Sequence, residues 1–132
     1  MRTPIFLTLA EVIAIHADQI RRYGGQGGVR DLALLESAIA QPEATYGGAW
    51  LHRDLYAMAA AYAYHICQNH PFYDGNKRVS LVCALMFLRF NRVVNIPDPS
   101  RQLKDAMLQI ASSKQSKQEF AELLRRLARK NS

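Results

Sequence analysis

Apolar residues recur every three to four positions along most of the chain, the period of helices that bury one face, so the pattern predicts an almost wholly helical protein. The first run carries Leu9, Val12, Ile13, His16 and Ile20. It opens on Thr8 with Glu11 three residues later, the spacing of a reciprocal capping box, and Gly24-Gly25 stop it. Asp31 is a good N-cap for a short second helix, Leu32–Ala40, closed by Pro42. The helical period then fails. Thr45, Tyr46, Trp50 and Leu51 flank Gly47-Gly48, a β-prone and turn-prone mixture that predicts a short hairpin or flap within residues 43–52.

From Arg53 to Asn69 the sequence is alanine-rich and helical, with Leu55, Met58, Ala59, Tyr62 and Ile66 on one side and apolar residues around much of the rest. This is the pattern of a central helix. A loop over residues 70–75 leads into a strongly apolar helix, Asn76–Phe90, which Asn91 can end. Arg92–Ile96 reads as briefly extended, Pro97-Asp98-Pro99 as a break and Arg101–Ala111 as another helix. Ser116 and Glu119 repeat the capping box before a last helix that carries Phe120, Leu123, Leu124 and Leu127. The expected fold is all-α: a single domain of about six helices with one small hairpin and no internal repeat.

Composition narrows the class. A chain of 132 residues that is 49% hydrophobic can bury roughly two thirds of its unfolded surface without disulfide or metal staples, which excludes intrinsic disorder. The longest nearly apolar run, Val79–Leu88, lies between Arg78 and Arg89 and falls short of the ~18 residues a bilayer span needs. No signal-peptide pattern follows Met1, so the expected location is cytoplasmic. Cys67 and Cys83 sit inside apolar helical patterns and read as reduced, structural residues. Lys and Arg outnumber Asp and Glu by 17 to 11, and the net charge of +6 favours an anionic partner without choosing among nucleic acid, nucleotide phosphate and acidic protein.

One stretch concentrates chemically able side chains: His70-Pro71-Phe72-Tyr73-Asp74-Gly75-Asn76-Lys77-Arg78. It ends on a helix N-terminus, where unpaired N–H groups and the positive end of the helix dipole favour an anion and Gly75 permits close backbone approach. A helix start ordinarily prefers Asp or Glu, whereas Lys77 and Arg78 add two cations there. Asp74 offers a hard oxygen ligand for Mg²⁺ against phosphate oxygens, and His70 an imidazole able to take a proton from an attacking hydroxyl. Base, metal ligand and phosphate cradle together describe phosphoryl or nucleotidyl transfer.

This stretch resembles the signature of the Fic/Doc family, His-x-Phe-x-Asp/Glu-Gly-Asn-x-Arg, at every fixed position. Tyr23-Gly24-Gly25, Gly28-Val29-Arg30-Asp31, Leu35-Glu36-Ser37-Ala38 and Gln41-Pro42 extend the resemblance to the death-on-curing branch. The resemblance implies His70 as general base, Phe72 as the buried anchor of the loop and Asp74 as the Mg²⁺ ligand. Gly75, Asn76 and the local amides would form the anion hole, and Lys77 and Arg78 would hold the phosphates of ATP. Thr45, Tyr46, Gly47, Gly48 and Trp50 would belong to a flap that aligns the target by strand addition.

Adenylylating members usually carry Gly where this chain has Lys77, and a second Arg where it has Leu81. Both departures are typical of the Doc branch. They imply ATP bound in the opposite sense and transfer of its γ-phosphate to a threonine of elongation factor Tu. No Ser or Thr lies four residues before any Glu, so the family's internal inhibitory motif is missing. Restraint would then come from a Phd-type antitoxin whose disordered segment folds onto the toxin.

Competing readings attach to other residues. Gly24–Gly28 lacks the Lys-Ser/Thr of a phosphate loop, and no His-Glu-x-x-His supports a zinc site. His65 reads as a core or supporting residue, and His16 and His52 as surface or packing residues. Tyr56, Tyr62 and Tyr64 have helical spacing suited to a core. Arg125, Arg126, Arg129 and Lys130 read as a solvated face and carry the alternative of a basic nucleic-acid-binding module.

Overall fold

The computed structural model describes residues 3–97 and 101–131. Six helices follow one another: α1 (Leu9–Tyr23), α2 (Leu32–Ala40), α3 (Leu55–Asn69), α4 (Asn76–Phe90), α5 (Arg101–Ala111) and α6 (Lys117–Lys130). A 3₁₀ turn, Gln41–Glu43, and an antiparallel hairpin of β1 (Thr45–Tyr46) and β2 (Ala49–Trp50) separate α2 from α3. Thr45 pairs with Trp50 and Tyr46 with Ala49 around the Gly47-Gly48 turn. The fold is all-α apart from this hairpin.

The capping residues act as the sequence predicts. Thr8 with Glu11 and Ser116 with Glu119 form complete capping boxes, while Asp31 and Asp54 accept from the N–H groups of Leu34 and Ala57. Asp54 therefore starts α3 at Leu55, two residues after the expected Arg53. The helix is central because it is apolar almost all round: Met58 through Ala63 are six consecutive buried residues. Alanines on its surface let neighbouring helices approach closely, and Tyr62 reaches beyond them to accept a hydrogen bond from the Leu7 N–H at 2.9 Å. Phe6 continues this anchoring, stacking on Phe87 and meeting Trp50 edge-on.

No strand forms over Arg92–Ile96, and the segment starts as a turn. Arg92 takes a left-handed conformation (φ 70°), its N–H donates to the Arg89 carbonyl, and the Val93 N–H reaches back to Leu88 at 2.8 Å. These two bonds are the Schellman ending of α4, and they satisfy carbonyls that an extended strand would leave open. The break expected at Pro97-Asp98-Pro99 lies, from residue 98 onward, outside the described residues.

Candidate functional site

The connection between α3 and α4 carries the motif, and local backbone chemistry shapes it. Helix α3 ends on His70 in a left-handed conformation (φ 51°, ψ 53°), a region that a non-glycine residue enters rarely and in which histidine is enriched. That conformation lifts the His70 side chain to an exposed position at the helix end. Phe72 then plunges into the core, fully buried, and forms an isolated antiparallel bridge with Val29. The loop is therefore paired with the Gly-rich segment after α1. The N–H groups of Arg30 and Asp31 donate to the Pro71 carbonyl at 2.7 and 3.1 Å.

Asn76, expected in the anion hole, also has a structural task. Its Oδ1 accepts from the Phe72 N–H at 3.0 Å, and its Nδ2 donates to the Phe72 carbonyl at 2.9 Å. The buried carboxamide satisfies both main-chain groups of Phe72 and closes the loop into a ring, which uses one of its two Nδ2 hydrogens. The backbone at the start of α4 also remains for an anion. Gly75, with φ 81°, is the N-cap, and no side chain caps the helix. The N-termini of α1, α2, α3 and α6 all carry a side-chain cap, so α4 differs from each of them.

Lys77 and Arg78 stand exposed on that uncapped turn, where no acidic residue balances them. Arg78 lies over the face of Tyr23, 4.5 Å from the ring centre, a cation–π contact that holds the guanidinium beside α1. Both cations line a cleft of about 570 Å³ between α1, α4 and α5, with Arg22, Tyr23 and Lys104 on its polar side and Leu81, Val82, Met107 and Leu108 on its apolar side. Among the described residues no carboxylate lines it.

Asp74 is exposed and faces the glycine-rich segment: one carboxylate oxygen accepts from the Gln26 N–H at 2.7 Å. Gly25 comes so near that a Cβ added to it would lie 3.2 Å from the Asp74 Cβ, at a φ of +114° that side chains rarely adopt. Among the described residues no group of three or more His, Cys, Asp or Glu side chains could hold a metal. A Mg²⁺ held by one carboxylate such as Asp74 would complete its shell with water and phosphate oxygens, an arrangement this ion favours.

Sequence reasoning missed two neighbours of the loop. His16 is buried, its Nε2–H donates to the Asp74 carbonyl at 2.9 Å, and its ring stacks on Phe72 at 3.9 Å with a 6° tilt. A carbonyl only accepts, so Nε2 carries the proton. The signal was present, since a polar residue in the apolar stripe of α1 needs a partner. Arg30 is the second, donating to the carbonyls of His70 and Asn69.

A family profile described as the Fic/DOC family matches residues 6–88. The chain belongs to the Fic/Doc family. It is 36% identical over 117 residues to Protein kinase doc of Escherichia phage P1, an alignment covering 89% of this chain and 90% of that protein. With Toxin Doc of Mycolicibacterium smegmatis it shares 41% identity over 71 residues, 54% of this chain and 55% of that relative. The bundle, the hairpin and the loop between α3 and α4 are thus those of a Fic/Doc protein.

The five flap residues do not act alike. Thr45, Tyr46, Gly47 and Gly48 are exposed, whereas Trp50 is half-buried against Phe6 and the core. Trp50 pins the base of this Fic/Doc hairpin instead of presenting a surface. Among the described residues, no hydrogen bond or ring contact links residues 45–50 to residues 70–78. The other expectations divide similarly. His52 is buried near the hairpin, Tyr62 is core, and Arg125 is not merely solvated, since it forks onto Asp54 through Nε and Nη2 at 2.9 and 3.1 Å.

Proposed function

We propose that this Fic/Doc protein is the toxin of a toxin–antitoxin module and a phosphotransferase that moves the γ-phosphate of ATP to a threonine hydroxyl of a translation factor, elongation factor Tu being the expected acceptor. It would act in the cytoplasm and arrest protein synthesis. One observation carries the reading: the only helix start without a side-chain cap among α1, α2, α3, α4 and α6 is also the one bearing Lys77 and Arg78, and it follows His70 and Asp74 directly. Uncapped N–H groups and two cations suit a polyphosphate, and a nearby imidazole suits proton abstraction from an alcohol.

In this reading the acceptor oxygen attacks the γ-phosphorus, the bond to the bridging oxygen of ADP breaks, and the hydroxyl proton passes to the His70 imidazole. Lys77, Arg78 and the N–H groups at the start of α4 hold the phosphates and balance charge on the departing ADP. Asp74 would hold Mg²⁺, which when bound neutralises phosphate charge. The exposed hairpin edge, Thr45–Gly48, would receive the acceptor segment through main-chain hydrogen bonds.

Nucleotidyl transfer is the second reading, and Lys77 and Leu81 weigh against it. Lys77 puts a charged side chain where a glycine would leave room. Leu81, buried at the cleft, offers no second guanidinium to a phosphate. The names of the relatives, a protein kinase and a toxin, agree with phosphoryl transfer. The cleft with its cationic rim and apolar floor would accept an acidic, amphipathic segment of a Phd-type antitoxin, folding as it binds.

Incubation with elongation factor Tu and ATP labelled at either the γ or the α position tests the reading. Label from the γ position and a mass increase of one phosphate on threonine support it. Transfer of α label alone would establish nucleotidylation instead. His70→Ala should lower transfer by about 10²–10⁴-fold while ATP still binds. Lys77→Gly should reduce phosphate transfer.

A further inference from the structure

The reactive loop is held at its two ends by two side chains that lie outside it. Upstream, the Arg30 guanidinium donates from Nε to the His70 carbonyl at 2.8 Å and from Nη2 to the Asn69 carbonyl at 3.2 Å. The N–H groups of Arg30 and Asp31 take the next carbonyl, that of Pro71. Three successive carbonyls at the end of α3 are therefore bound by two adjacent residues. A left-handed histidine does not persist on its own preference, and this grip over-determines it. Downstream, His16 donates to the Asp74 carbonyl while its ring lies flat on Phe72.

Between the two ends the loop is stapled. Phe72 is fully buried, bridges to Val29 and is tied by both of its main-chain groups to the Asn76 side chain. This buried staple stands between the His70 end of the loop and the Asp74 end.

We propose that Arg30 and His16 are separate positioning residues for the two halves of the chemistry: Arg30 sets the His70 imidazole and His16 sets the Asp74 carboxylate, though neither touches substrate or metal. This rests on the phosphotransfer reading above for its kinetic consequences and on hydrogen bonding alone for its structural ones. A simple capping role for Arg30 would need only positive charge at the C-terminus of α3, which lysine also supplies. The fork onto two carbonyls is what lysine lacks.

The test compares Arg30→Lys and His16→Phe with the wild type. Arg30→Lys should keep the thermal midpoint close to wild type yet lower kcat about 10- to 100-fold, with the KM for ATP and the Mg²⁺ requirement unchanged. His16→Phe, which keeps a flat ring against Phe72, should raise the half-saturating Mg²⁺ concentration about tenfold. Nuclear magnetic resonance supplies a readout that needs no activity. Arg30→Lys should move the His70 ring signals and leave the Gln26 amide, which donates to the Asp74 carboxylate, in place. His16→Phe should do the opposite. Both signals moving together in either variant, or wild-type kcat in Arg30→Lys, overturns the proposal. Should the wild type transfer no phosphate, the functional reading fails while the resonance pattern still decides this one.

Discussion

At Asn76 a buried carboxamide meets both main-chain polar groups of Phe72, so an alanine there strands an N–H and a C=O inside the protein. Each such group costs about 1–3 kcal/mol, and Asn76→Ala should therefore destabilise the fold by about 2–4 kcal/mol in urea unfolding. Asn76→Asp keeps the acceptor but sets a second oxygen against the Phe72 carbonyl in a buried place, so its loss should be at least as large. Gly25 gives a second prediction. Its φ of +114° and the 3.2 Å approach of a Cβ to Asp74 and Ile20 together make Gly25→Ala unfavourable by about 1–3 kcal/mol, readable as a lower thermal midpoint. Residue types announced the motif, since His70, Asp74, Lys77 and Arg78 are chemically able wherever they occur. Which of its polar atoms face outward was not legible, because Asn76 turns inward only once Phe72 is in place.

The helices were the most legible part of the molecule, their ends fixed by local rules: a hydroxyl or carboxylate at the N-cap and a three-residue return. Arg92 shows where those rules are silent. A Schellman ending usually advertises itself with glycine, and an arginine in the left-handed position leaves no such mark.

The packing of α6 on α3 carries a pH dependence. The Lys117 ammonium donates to Nε2 of His65 at 3.1 Å, and the buried Nδ1 of His52 meets no partner among the described residues. Burial, then Lys117, then His52 push the His65 imidazole down to about 4, and burial with Lys117 also lowers that of His52. In the unfolded chain histidine protonates near 6.5, so between about 6.5 and 4 the unfolded state holds more protons and stability falls as pH falls. The loss is absent above that window and complete below it. His65 is partly solvated, which limits its share to about 1–2 kcal/mol. Urea unfolding at pH 7 and pH 4.5 should show this loss, and His65→Gln should make it shallower.

Across the whole molecule the decisive contacts join segments far apart in sequence. Val29 meets Phe72, Arg30 meets His70, and Arg125 reaches Asp54 over 71 positions. Periodicity carries no record of such pairings, so it names no partner for the glycine-rich segment 24–28. The cleft between α1, α4 and α5 is also assembled from distant pieces. Its cations come from three helices: Arg22 from α1, Lys77 and Arg78 from α4, and Lys104 from α5. Charge reversal by Lys104→Glu should weaken binding of an acidic antitoxin segment about tenfold at low salt, a difference that shrinks as salt rises. Calorimetry at two ionic strengths measures both.

The antiparallel bridge between Val29 and Phe72 has a practical corollary for anyone wishing to transplant this chemistry. Residues 70–78 grafted alone into a foreign helical scaffold would bring every reactive side chain, but His70 would relax out of its left-handed conformation once the carbonyls around it were released. A portable cassette would therefore need at least two pieces of chain, residues 24–31 and 69–80, together with a histidine to lie against Phe72.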